Sequence, residues 1–197
     1  MEYIDLVKAR RSTYMLENKQ VVEDDELVKS LEEVIKEAPT AFNSMATHIV
    51  IALGKEHAFI WDTTKGILKG IVSPEAFKKT GPKIDVFKAA YGTILVYKDI
   101  EKIDDLKKSF PGFSNRQDYW GEQNVGILAY ALWLELVNLG YGANMQHYDP
   151  LIDDVLMKRY SIPKTWKLEA QIVFGKTKVK ADKKDYLPLK ERVIVVK

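Results

Sequence analysis

The chain contains no cysteine. That single absence removes disulfides, thiolate nucleophiles, Cys-bound iron–sulfur clusters and structural Cys–zinc sites. Histidine is nearly as scarce, with 3 in 197 residues. His48, His57 and His147 are scattered and include no pair at one-turn helical spacing, so no metal site is expected. Charge of one sign is missing too: 30 Lys plus Arg stand against 28 Asp plus Glu, a net +2. Nucleic acid needs clustered basic charge on one face, and none is legible, so no nucleic-acid partner is expected. The densest basic run, "KTKVKADKK" at 176–184, meets acids at once and reads as a solvated loop. Long hydrophobic runs are also lacking. The most apolar window, "VGILAYALWLELV" at 125–137, contains Glu135 and stops well short of the roughly 20 residues a membrane span needs. The opening "MEYIDLVK" carries acids and lacks the basic-then-apolar order of a signal peptide. A cytoplasmic protein with no membrane partner is the expectation.

What is present has the ordinary balance of a protein with a sizeable core: 46% hydrophobic and 29% charged residues. No repeat, low-complexity tract or linker interrupts it, which predicts a single domain over 1–197. Residues 3–10 read as a short helix. A second helix starts near Asp24, a plausible N-cap, with Leu27, Leu31, Val34 and Ile35 at helical spacing, and Pro39 stops it. "THIVIAL" (47–53) and "GTILVYK" (92–98) read as strands, with a helix over 56–70 between them. A long helix covers 116–139, a short strand 142–148, a helix 150–159, a third main strand 168–175 and a terminal strand "RVIVV" 192–196. Helices alternating loosely with strands predict an α+β fold with a central sheet.

From Val125 to Val137 the long helix is apolar almost all the way round, which predicts burial on every face. In a domain this small a second subunit is one way to cover it. The terminal strand has no adjacent partner in sequence. Both features lean toward a homodimer whose tail reaches across.

Familiar catalytic signatures fail one by one. "GYGANM" (140–145) begins like a dinucleotide fingerprint, but Met145 replaces the third glycine and the motif follows a helix. "FGKTK" resembles the end of a phosphate loop, yet Ala170 stands where its first glycine belongs. No G-x-S-x-G elbow occurs. With no protein nucleophile or general base in view, a bound group is expected to carry any chemistry. Three segments remain odd: Arg10-Arg11-Ser12, "APTAFNSM" at 38–45 with Asn43 and Ser44, and "LKERV" at 189–193 with Lys190 and Arg192. Arginine's planar fork suits phosphate oxygens, and Ser and Asn suit sugar hydroxyls and ring carbonyls. Together they can hold one phosphorylated, hydroxyl-rich, planar ligand. Phe113, Tyr119 and Trp120, at helical spacing, read as core ahead of pocket wall.

"RRSTY" at 10–14 resembles the N-terminal R-R-S motif of the FMN-dependent nitroreductases, and "APTAFNSM" their P-S/T-x-x-N-x-Q segment, with Met45 where that pattern has glutamine. "FKAAYGTILVYKD", "NMQHYDPLID" and "WKLEAQIVFGK" are similar to the short subgroup that includes the fungal fatty-acid-repression protein. The resemblance runs over essentially the whole chain. It implies a nitroreductase-like α+β fold: a mostly antiparallel sheet flanked by helices, in a homodimer with a swapped C-terminal strand and FMN at the interface. By the same resemblance, Arg10, Arg11, Ser12, Tyr14, Lys190 and Arg192 would hold the phosphate and ribityl chain. Asn43 and Ser44 would meet the ring edge, and the backbone of Gln146 and His147 would lie near flavin N5. The implied activity is reduction of nitroaromatics or quinones by NADH or NADPH in ping-pong fashion. A flavin-binding stress or lipid-signalling regulator with little turnover is the alternative.

Overall fold

A computed structural model describes residues 2–179 and 181–197. Its centre is an antiparallel sheet of five strands: β1 (Leu16–Glu17), β2 (Thr47–Leu53), β3 (Gly92–Asp99), β4 (Gly142–Gln146) and β5 (Trp166–Thr177). β3 lies between β2 and β5, while β1 and β4 share the other edge of β5. Every pairing between these strands is antiparallel. Strand β3 is buried along almost its whole length, which is why "GTILVYK" reads as continuous apolar sequence instead of alternating.

Its side chains go alternately to two cores. Leu95 and Tyr97 join Trp61 of α3 (Gly54–Ile71), Phe87 of α4 (Pro74–Lys88) and Leu156 of α7 (Asp153–Tyr160). Ile94 and Val96 join Leu27 and Leu31 of α2 (Asp24–Glu37) and Leu128 and Leu132 of α6 (Ser114–Asn138). The result is helix, sheet, helix in three layers, completed by α1 (Tyr3–Ala9) and α5 (Ile100–Ser109). No helix among the described residues is long and apolar enough to cross a membrane.

The expected helices and main strands form within a few residues of their predicted bounds. Three features differ. Helices α4 and α5 occupy stretches to which the sequence patterns assigned nothing. Residues 192–196 pair with no strand among the described residues; a 3₁₀ turn at Leu189–Glu191 precedes them, and Ile194 and Val196 are 89% and 90% exposed. Helix α6 is not covered all round, because Ile127 and Tyr130 remain 44% and 39% exposed.

The near-fingerprint "GYGANM" has a structural explanation. Gly140 takes φ +89° just past the end of α6. Its N–H donates to the Val137 carbonyl at 3.0 Å, and the Tyr141 N–H to that of Leu136 at 2.8 Å. That is a Schellman cap, for which glycine is favoured, and it turns the chain straight into β4.

Candidate active site

The N-terminal segment is fastened to β4. Helix α1 ends as Arg10 turns extended, and Ser12 bridges in parallel to Ala143. The Thr13 N–H donates to the Ala143 carbonyl at 2.9 Å, and Asn144 Nδ2 returns a bond to the Thr13 carbonyl at 2.8 Å. Gln146 Nε2 then donates to Asn144 Oδ1 at 2.8 Å. This buried amide chain fixes the end of β4, where the exposed His147 follows. Two glycines make the close approach possible. A Cβ on Gly142 would stand 2.1 Å from Thr177 Oγ1, and one on Gly175 would stand 2.6 Å from the Glu17 carbonyl.

The two arginines part company. Arg10 lays its guanidinium 4.5 Å from the centre of the Trp133 ring. Arg11 instead lines a separate cleft of about 390 Å³ with Thr13, Tyr141 and Thr177. Neither forms an ion pair among the described residues, so their charges remain available to an anion. Tyr14, next in line, is about half exposed.

The loop after α2 is strained. Phe42, Asn43 and Met45 all take positive φ, at 53°, 52° and 49°. Non-glycine residues rarely do so, and three in four positions make a local cost of a few kcal/mol, at roughly 1–3 kcal/mol each. The loop is held by the Ala41 N–H donating to Asn124 Oδ1 on α6 at 3.0 Å, and by the Met45 N–H donating to Thr40 Oγ1 at 3.0 Å. Asn43 is exposed, while the Ser44 hydroxyl is buried without a partner among the described residues.

Beside this loop opens a cavity of about 820 Å³ along the uncovered face of α6, lined by Thr40, Phe42, Trp120, Asn124, Ile127 and Tyr130 among others. Its rim is aromatic: Phe42 stacks on Phe110 at 4.3 Å and tilts against Trp120 at 5.8 Å. The reading of Phe113, Tyr119 and Trp120 as core is corrected here. Trp120 lines the cavity, and Phe113 and Tyr119 are each 52% exposed. Phe113 ends the 3₁₀ turn Pro111–Phe113 just before α6, and Tyr119 and Trp120 lie outside the buried side of α6, so their spacing reports the helix and not its burial.

Of the predicted residues, the fold fastens the Arg10–Ser12 segment alongside β4, with Arg11 beside Gly142 and Gln146 at the other end of the strand. Asn43 and Ser44 follow the cavity-lining Phe42 in the same loop without lining the cavity themselves, while Lys190 and Arg192 lie on the exposed tail. No hydrogen bond or ion pair among the described residues joins these three groups within one chain. The sequence patterns passed over Thr13, Asn124, Asn144 and Gln171. The last is fully buried opposite Gln146, and its Oε1 accepts the Tyr148 N–H at 2.7 Å. Amide side chains on a central strand were the available signal, since a buried amide demands partners.

A cationic N-terminal segment clamped to an antiparallel sheet, beside an open aromatic cavity on the central helix, defines a ligand-binding α+β protein of a recognisable kind. The nitroreductase family model matches residues 7–176, and the chain belongs to that family of oxidoreductases. Nitroreductase CinD from Lactococcus lactis, solved with chloramphenicol, is similar at 33% identity and TM-score 0.91, with both chains fully covered. The same protein with 4-nitrophenol gives 34% identity, TM-score 0.87 and full coverage of both. Nitroreductase FRM2 of Saccharomyces cerevisiae is 30% identical over 175 residues, 88% of this chain and 86% of the yeast protein. The resemblance to the short fungal subgroup is thereby met. A nitroreductase from Desulfitobacterium hafniense with bound FMN shares the fold at 18% identity and TM-score 0.70, covering 98% of this chain and 97% of its own.

Proposed function

We propose that the protein is an FMN-dependent NAD(P)H oxidoreductase, reducing nitroaromatics or quinones as a homodimer. The observation that carries the reading is the Ser12–Ala143 bridge, which fastens a segment bearing two arginines, unpaired among the described residues, alongside β4. The residues present fit FMN on their own chemistry. Arg10 is free to meet a dianionic phosphate, the buried Ser44 hydroxyl lacks a partner among the described residues, and a cavity of about 820 Å³ suits a planar cofactor and a small substrate. When bound, the flavin supplies hydride chemistry, taking two electrons from NAD(P)H and passing them to the acceptor.

The chain's work is then to bind, orient and exclude water. Arg10 and, from the tail, Lys190 and Arg192 neutralise the phosphate, and the Ser12 hydroxyl donates a hydrogen bond to it. The Gln146–His147 backbone and Asn43 orient the ring system. Phe42 and Trp120 offer flat apolar faces on which aromatic donors and acceptors stack in turn. One cavity serving both substrates accounts for ping-pong exchange, since the oxidised nicotinamide must leave before the acceptor enters. The uncovered Ile127–Tyr130 face and the apolar tail support the dimer, because exposed apolar area of this kind marks an association surface.

The test is spectroscopic. Purified protein is expected to be yellow with about one FMN per chain and to bleach anaerobically with NADH or NADPH. Reoxidation by a quinone should then follow, with parallel initial-rate lines at steady state. A colourless protein that takes up no added FMN overturns the reading.

A further inference from the structure

On the opposite face of the sheet from α6, a cavity of about 500 Å³ is lined by Tyr97, Asp153, Asp154, Met157, Trp166 and Lys167, together with two further apolar side chains. The flavin reading makes no use of it. Tyr97 and Leu156 belong to the core shared with α3 and α4, so the whole sheet separates this cavity from the one beside Phe42. Two of its polar atoms are unexplained. Tyr97 is 3% exposed and its phenol oxygen meets no partner among the described residues. Asp153 Oδ1 is likewise buried without one.

Buried polar atoms are nearly always paired, and an unpaired one needs a reason. Asp153 and Asp154 occupy the first turn of α7, where acids complement the helix dipole. That explains an exposed acid and leaves the Asp153 Oδ1 and Tyr97 hydroxyl without partners. Charge around the pair is net negative. Burial raises the Asp153 pKa, and the Asp149 and Asp154 carboxylates raise it further. The Leu168 backbone and Lys167 pull the other way. The walls are aromatic: the Tyr97 and Trp166 rings stand 6.0 Å apart at 46°, and His48 stacks flat on Trp166 at 3.7 Å and holds the indole in place.

We propose that this cavity is a second ligand site, which takes a small organic ammonium such as the protonated amine of an aryl or alkyl chain. The ammonium donates to Asp153 and Tyr97, and a cation lying against a Tyr–Trp wall gains from the ring faces. Met157 accepts the apolar stem, being a side chain that adapts to irregular shapes.

The site is tested on the full-length purified protein with three probes of one shape: benzylammonium, benzyl alcohol and benzoate. The Trp166 indole N–H signal, assigned by its loss in Trp166→Phe, is followed by NMR. Benzylammonium is expected to shift it saturably, with the alcohol and the acid at least about tenfold weaker, the low end for a hydrogen bond to a charged group. Asp153→Asn should abolish that preference, with folding checked by thermal melting. Tyr97→Phe, a second variant of the same shape, should weaken benzylammonium several-fold. No saturable shift, equal binding of the alcohol, or a cation preference surviving in a folded Asp153→Asn protein overturns the proposal. So does a benzylammonium response at the Trp120 indole in place of Trp166, since that reports the other cavity. None of these outcomes depends on whether the protein reduces anything.

Discussion

The Arg10 guanidinium lies over Trp133, an almost fully buried ring of α6. A charge held by a ring face, with no carboxylate beside it among the described residues, is positioned without being neutralised. The stack contributes about 0.5–1 kcal/mol and aims the fork. Arg10→Ala is therefore expected to cost flavin affinity about 1.5–3 kcal/mol, the range for a hydrogen bond to a charged group. Arg10→Lys should recover only part of it, because lysine keeps the charge and loses the planar fork. Titration of flavin-free protein with FMN, followed by fluorescence, measures both. Wild-type affinity in Arg10→Ala would remove Arg10 from the phosphate site.

The open face of α6 gives the second prediction. Ile127 and Tyr130 are half exposed beside the cavity, although both belong to the most apolar stretch of the chain. Ile127→Glu places a charge at the middle of the proposed interface. It should weaken the dimer by about 2 kcal/mol or more, roughly 30-fold, and shed flavin in proportion. Analytical ultracentrifugation across a dilution series reads this out. An unchanged dimer would show that this face is not where the subunits meet.

What the sequence made legible follows the strength of each local signal. "THIVIAL" and "GTILVYK" are β-branched and bounded by turns, and they became the paired strands β2 and β3. Helix α4 was illegible because "KTGPK" puts Gly81 and Pro82 in mid-helix, where both disfavour the structure. Packing overrides that local preference. Ile84 and Phe87 are buried, and a Cβ on Gly81 would meet the Phe77 ring at 3.3 Å. Helix α5 did carry a signal, since the Asp99 carboxylate accepts the Glu101 N–H at 3.1 Å as an N-cap with Ile103 turned inward. Of the site, Arg10 to Ser12 were readable by type. The Asn144 and Gln171 amides that position β4 were not, because only the strand register brings them into line. Sequence spacing also could not show that Arg11 turns into a cleft while Arg10 lies over the Trp133 ring.

The third prediction concerns acid stability. His57 is 2% exposed: its Nδ1 faces Thr93 Oγ1 at 2.9 Å and its Nε2 the Lys88 carbonyl at 3.1 Å. Trp61 Nε1 also donates to Thr93 Oγ1 at 2.9 Å. The Thr93 hydroxyl then donates to Nδ1, and Nε2–H donates to the carbonyl, which defines a neutral ring. Burial lowers its pKa from 6.5 to about 4. The unfolded chain thus binds this proton first. Stability from the neutral ring is complete above about pH 6.5 and is lost as pH falls toward 4, by up to about 3 kcal/mol. Urea unfolding of wild type and His57→Gln across that window isolates the contribution from that of the carboxylates. The variant should show the shallower slope. Equal slopes would mean that His57 is protonated in the folded state as easily as in the unfolded one.

The fourth prediction joins the tail to the site. Residues 193–196 are apolar and exposed, yet they follow Lys190 and Arg192 directly. Leaving Val193, Ile194, Val195 and Val196 in water costs about 25 cal/mol for each Å² of apolar surface. Covering them on the partner subunit would carry both cations toward the partner's Arg10 and Ser12. Removing residues 190–197 should then weaken dimer and flavin retention together, because one segment serves both. Arg192→Ala should separate the two effects: the dimer persists, while FMN binding weakens by about 1.5–3 kcal/mol. Size-exclusion chromatography with flavin quantitation on both variants decides the matter. A truncated protein that stays dimeric and fully yellow would leave the phosphate to Arg10, Arg11 and Ser12 alone, and the apolar tail would need another role.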